Sequence, residues 1–265
     1  MIQLAKKYLK DHRIGLILIS SGLLFYNWFL VSFFPTIKKL NIDELLKQYP
    51  KEILAFFGGT QLPFSSFEGF VNGEFYSLMS VLIVGGFLIT IATSEFTKEV
   101  ETGTIETLLS LPITRGKVYL TKWLNIMLTA ALMAVFTVMG TAVFGKLYHI
   151  AFSMKAFYLT TILTVLFFWT IAAFTIMVSV IFNERSKPIF ISIALLAIGY
   201  MINSLANVVN AVKDFRFLAI FHYYDTARAL AEKEIGLTSI AVFLGVIILS
   251  SAFGYFWFKN RDFAP

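Results

Sequence analysis

Six stretches of the chain contain no Asp, Glu, Lys or Arg: Ile14–Ile37, Phe75–Ser94, Trp123–Gly145, Ala156–Asn183, Pro188–Val212 and Ile235–Phe258. Each is 20 residues or longer. A helix crossing about 30 Å of hydrocarbon needs roughly 20 apolar residues. The pattern therefore predicts six membrane-spanning helices, at about 14–35, 75–94, 123–145, 156–182, 188–210 and 237–258. All charge is confined to the segments between them and to the two chain ends. The fold class expected is an all-α integral membrane protein, with residues 1–265 forming a single transmembrane domain.

The segments between the spans carry further helical signals. In residues 1–12, Leu4, Tyr8 and Leu9 oppose Lys6, Lys7 and Lys10, the pattern of a short amphipathic helix on a membrane surface. The apolar run after them is longer than the roughly 7–15 residues of a signal sequence, so it reads as an anchor. In the segment 38–74, Asn41 and Glu44 read as an N-cap and its acidic third position. Ile42, Leu45, Leu46 and Tyr49 follow at helical spacing. Pro50 can open a second short helix carrying Ile53, Leu54, Phe56 and Phe57, which Gly58 and Gly59 would end. Six spans put both termini on one side. Lys6, Lys7, Lys10 and Arg13 beside the first span favour the cytoplasm.

Composition narrows the function. The chain is 58% hydrophobic and 14% charged, with a mean hydropathy of +0.77. A soluble domain carries about 25% charged residues, so soluble enzymes and nucleic-acid binders are excluded. The net charge of +6 is spread over short loops, where it serves orientation and lipid contact. With no cysteine there is no thiol chemistry. His12, His149 and His222 show no ligand spacing, and none of the six stretches offers an ionisable relay of the kind a proton-coupled carrier uses. G-x-x-x-x-G-K-[ST] does not occur, so any energy from ATP must enter through another chain.

The segment between the second and third spans is where such a chain could dock. Thr104 can cap a short helix holding Glu106, Leu108 and Leu109, and Pro112 would terminate it. Thr114 can then cap the helix leading through Lys122 into the third span. On pattern alone, this is either a rigid element placed to receive a push or an ordinary charged loop.

From Glu99 to Lys122 the sequence resembles the signature of ABC-2-type transporter permeases. The matching positions are Gly103, Thr104, Glu106, Leu108, Leu109, Pro112, Thr114, Arg115 and Lys122, with Thr121 standing where a Gly often precedes the Lys. Gly69-Phe70, Glu74-Phe75 and Phe221-His222-Tyr223-Tyr224-Asp225 extend the resemblance over most of the chain. It implies a permease subunit of an ATP-binding cassette exporter in the plasma membrane, with both termini cytoplasmic. Two copies of an ABC ATPase would bind it, with ATP and magnesium held on that partner and no cofactor on this chain. A second permease chain, identical or related, and membrane lipid complete the expected partners.

In that family the loop between spans two and three holds the coupling helix. The resemblance thus assigns ATPase coupling to Glu99, Glu101, Gly103, Thr104, Glu106, Leu108, Leu109, Pro112 and Arg115. Glu184 and Arg185, in the short turn before the fifth span, would form a second contact. The cargo expected is hydrophobic or amphipathic: a peptide antibiotic, drug, lipid or lipid-linked glycan. A membrane scaffold driven by the same ATPase is the alternative reading, and an autonomous channel or carrier a third. Tyr200, Asn203, Asn207 and Asn210 recur at helical spacing and would form one polar stripe on the fifth span. That stripe serves either interhelical hydrogen bonding or the substrate path.

Overall fold

The structure is a computed structural model that describes residues 2–40, 42–46, 48–49, 62–103 and 113–261; the Glu99 side chain is not described. Six helices in it are long and apolar enough to cross a membrane. They are α1 (Ile2–Lys39), α3 (Phe67–Lys98), α4 (Arg115–Leu147), α5 (Met154–Ser179), α6 (Ser186–Leu205) and α10 (Leu237–Asn260). Short helices connect them: α2 (Ile42–Leu46), α7 (Asn210–Lys213), α8 (Ile220–Tyr223) and α9 (Thr226–Ala231). The crossings alternate in direction, so residues 2 and 261 lie at one end of the bundle, here the terminal end. The predicted Asn41 cap and the helix opened by Pro50 lie outside the described residues.

The bundle is layered around α5, which packs on α3, α4, α6 and α10. More than half of the apolar window of α3, α4 and α5 is buried within the chain, against 22% for α1, α6 and α10. Three helices therefore make the core, and three keep wide apolar faces turned outward. In lipid, apolar contact alone does not hold helices together, so the joints rest on close packing and buried polar pairs. Asn27 of α1 is one such joint. Fully buried, it donates to the Phe136 carbonyl at 2.8 Å and accepts from Thr141 Oγ1 at 2.8 Å. Gly140 opens the space for it, because a Cβ there would stand 2.5 Å from Asn27 Nδ2. Trp169, mid-span, donates to the Met127 carbonyl at 2.8 Å and ties α5 to α4.

Three boundaries differ from the sequence expectation. Residues 2–12 are helical, but they are the first turns of α1 rather than a separate surface helix. The helix runs unbroken through Gly15 at the join, and Tyr8 is buried with its hydroxyl 2.7 Å from Thr129 Oγ1 of α4. At 38 residues and about 1.5 Å per residue, α1 spans about 57 Å, far more than the hydrocarbon layer. The second crossing starts at Phe67 rather than Phe75. Ser66 caps it by accepting from the Gly69 N–H, and Glu68 turns aside to accept from the Ser153 N–H at 3.1 Å, before α5. The fifth crossing stops at Leu205 rather than 210. After it the chain turns, and residues 219–231 pack back between α5, α6 and the start of α3, burying Phe221, Tyr224 and Leu230.

Candidate functional site

At the terminal end, hydrogen bonds join the ends of five crossings. Thr97 of α3 donates to the Ser179 carbonyl of α5 at 3.2 Å. Arg185, at the start of α6, reaches back to Ser94 Oγ of α3 at 3.2 Å. Arg261, just past α10, donates to the Val180 carbonyl and to Asn183 Oδ1, and its own carbonyl accepts from Arg115 Nη1 at 2.6 Å. Phe96 fills the centre, with Tyr119 and Phe258 rings 5.4 and 5.8 Å away and the Lys122 ammonium 5.6 Å from its face. A charged group that already holds a neighbouring crossing is a structural strut. Arg115 and Arg185 are both of this kind, while Glu184 is an exposed partner of Lys187 at 3.1 Å.

The predicted coupling residues divide accordingly. Glu101 is exposed in the last turn of the helix Gly86–Glu101 that completes α3. Gly103 ends that helix at φ +69°, with its N–H on the Val100 carbonyl. That left-handed conformation is one an L side chain resists, which accounts for glycine there. Thr104, Glu106, Leu108, Leu109 and Pro112 lie outside the described residues, and so does the Glu99 side chain. The structure brings Arg115, Glu184 and Arg185 to the end of the bundle from which residues 99–103 emerge.

From the opposite end to its middle, α3 is locally underwound into two wide turns, Asn72–Tyr76 and Val81–Gly85. Such π-type turns displace side chains from the regular helical register and are frequent at functional sites. Here the first one aims Asn72 at α9, where its side-chain oxygen accepts from Thr226 Oγ1 at 2.6 Å. Beside it lies a cavity of about 90 Å³, lined by Tyr200, Asn203, Asn207, Arg216, His222 and Asp225 among others. Arg216 Nε donates to Asn203 Oδ1 at 3.0 Å. Burial and the nearby Arg216 charge hold His222 below the ordinary imidazole value, against the opposing pull of Asp225. Burial pushes the Tyr224 phenol up to about 12, and its hydroxyl pairs with Thr164 Oγ1 at 3.1 Å.

The single stripe read from the sequence does not form. Tyr200 and Asn203 are on α6, Asn207 lies in the turn beyond it, and Asn210 is exposed at the start of α7. The first three nevertheless share the cavity. Sequence reasoning missed Asn27, Asn72, Arg216 and Arg261. For Asn27 a signal was present, because a strong polar group inside an otherwise apolar span must find a partner. Arg216 and Arg261 follow apolar spans in loops, and nothing local marks their reach.

Six apolar helices, a capped helix end at Gly103 and a cross-braced terminal end form the frame on which a family match can be placed. A family model described as ABC-2 family transporter protein matches residues 2–263. The chain belongs to the ABC-2 transporter family. It is thus a multi-pass membrane protein of the permease type, a subunit without an ATPase domain in a family that works with an ABC ATPase. No curated protein matches it closely enough to count as a relative. The nearest approach to a phosphate-binding loop in this ABC-2 chain is Gly140 to Lys146, followed by Leu147. It runs along the interior of α4, where Gly140 accommodates Asn27 and Gly145 accommodates Phe67 and Phe152.

Proposed function

We propose that this chain is the permease subunit of an ABC exporter, moving a hydrophobic or amphipathic substrate outward by alternating access. The terminal end faces the cytoplasm. Residues 99–112 and the turn at Glu184 dock two ATPase copies, which hold the ATP and magnesium. A second permease chain, identical or related, completes the pathway. The observation that carries this reading is the cross-bracing at the terminal end. Arg185 links the second contact to α3, and Arg261 links the α5–α6 turn to α10. A push delivered at the segment after Gly103 would therefore move four crossings together, as rigid-body switching requires.

Two other features support it. The apolar faces of α1, α6 and α10 suit lipid or a second chain. The cavity holding Tyr200, Asn203 and Asn207 suits the outer part of a substrate path, and Asn210 lies outside that role.

Orientation is tested by single-cysteine labelling, which the absence of native cysteine makes clean. Lys47→Cys reacts with an impermeant reagent in intact cells, whereas Glu106→Cys reacts only after permeabilisation. The reverse pattern removes the cytoplasmic assignment and the coupling assignment with it. Export is tested by ATP hydrolysis in the purified complex with its ATPase, reconstituted in vesicles. Hydrolysis rises several-fold with a transported amphipathic compound. A rate indifferent to every candidate cargo, with the complex intact, favours the scaffold reading instead.

A further inference from the structure

A second cavity, of about 480 Å³, opens at the terminal end between the first turns of α1, the end of α3 and the start of α4. Its walls carry three ammonium groups, Lys7, Lys98 and Lys122, and two carboxylates, Asp11 and Glu95. Glu95 is engaged by His12, whose Nε2 stands 2.7 Å from Oε1. Lys122 is 5% exposed, and its ammonium donates to the Glu95 carbonyl oxygen. A buried ammonium at the base of a cavity with an excess of positive charge favours an anionic occupant.

The surroundings say what kind of anion. Lys7, Asp11, Ile14 and Leu18 follow at steps of four, three and four, so they lie on one face of α1. The first two line the cavity, while Ile14 and Leu18 are 66% and 64% exposed just below it. Trp123, next to Lys122, donates its indole N–H to Ser251, and indoles favour the headgroup layer. The molecule therefore offers a cationic hollow at headgroup depth with an outward apolar strip beneath. That order, charge above and hydrocarbon below, matches a lipid with a phosphate head.

We propose that this cavity binds the phosphate of a phospholipid headgroup, with the acyl chains running down α1 past Ile14 and Leu18. The choice of cytoplasmic leaflet rests on the orientation proposed above; the binding itself does not. Lys7 and Lys98, both exposed at the mouth, reach the phosphate from two sides, and Lys122 closes the base. A lipid held here bridges α1 to the end of α3, next to the segment assigned to coupling.

The test uses the full chain, delipidated in detergent, with thermal unfolding and native mass spectrometry as readouts. Dioleoylphosphatidylglycerol raises the unfolding temperature and is retained as a bound adduct. Dioleoylglycerol, which lacks the phosphate, does neither. In Lys7→Gln/Lys98→Gln the apparent Kd for the phospholipid rises about tenfold, which is the loss expected for removing charge-assisted contacts. Lys38→Gln/Lys39→Gln removes the same charge at the far end of α1 and keeps wild-type binding. Equal binding by the two double variants overturns the site. A shift produced in full by inorganic phosphate overturns the lipid assignment, and one produced in full by dioleoylglycerol overturns the phosphate. Cysteine labelling reads orientation separately, so an inverted topology with intact binding fails only the leaflet.

Discussion

Replacing Leu108 and Leu109 together by alanine abolishes coupled transport while leaving insertion and thermal stability of the permease unchanged. Truncating a central apolar anchor at a protein interface costs about 2 kcal/mol or more, or roughly 30-fold in affinity. Leu108 and Leu109, the one pair of adjacent leucines in residues 99–112, are the natural apolar anchors of that segment. Charged groups at the rim contribute less, so Glu101→Ala, at an exposed helix end, lowers co-purification of the ATPase only slightly. Arg115→Ala belongs to a different class. Its guanidinium holds the Arg261 carbonyl, so its loss loosens the brace between α4 and α10 and lowers stability as well as activity. The measurements are ATPase retained on affinity-purified permease, transport into inverted vesicles, and the unfolding midpoint. A double alanine variant that keeps full ATPase binding and transport ends the coupling assignment of this segment.

That contrast shows what the sequence could and could not reveal. The six crossings were legible because hydrocarbon excludes charge over about 20 residues, a constraint that acts on each stretch separately. Their ends were harder to read. Glu68 and Glu74 precede the charge-free run but lie within α3, since carboxylates are tolerated where the bundle meets water. The fifth crossing failed in the opposite direction. Its apolar composition continues through Val208, Val209 and Val212, yet α6 stops at Leu205 and the chain turns back to bury Phe221 and Tyr224 near α5. Composition sees only hydrophobicity there, and packing decided the geometry. Long-range pairs were invisible for the same reason. Tyr8 with Thr129, Asn27 with Thr141 and Arg261 with Val180 are each more than 80 residues apart. The family signature gave Arg115 to ATPase coupling and Arg185 to a second contact; the structure shows what else they hold. The polar stripe was wrong in form, because three of its four residues converge through a turn rather than along one helix.

The largest loss of stability is expected from a single methyl group at Gly69. A Cβ there would lie 2.1 Å from the Pro63 carbonyl oxygen and 2.8 Å from both the Pro63 carbonyl carbon and Ser66 Oγ. Two of these three atoms are backbone, so no rotamer change relieves the clash. Nor can the turn retreat easily. Asp43 accepts from the Phe64 and Ser65 N–H groups at 2.7 and 3.0 Å, and Ser66 donates to the Pro63 carbonyl at 2.6 Å. On the other side, Phe67 is wedged among Phe34, Phe152 and Phe157, with ring centres 5.2, 5.4 and 5.8 Å away. Overpacking a rigid site costs about 3 kcal/mol at the upper end of the usual range, and here the N-cap hydrogen bond from Gly69 to Ser66 is lost as well. Gly86 supplies the matched control. It lies on the same crossing, and a Cβ there meets nothing within 4 Å. Alanine at 86 should therefore be neutral or stabilise by about 0.5–1 kcal/mol through its higher helix propensity. Unfolding midpoints and the yield of monodisperse protein in detergent distinguish the two variants. If Gly69→Ala behaves like Gly86→Ala, the Pro63–Ser66 turn does not sit against α3 as described, and the anchoring of the far-end cluster through α3 has to be abandoned.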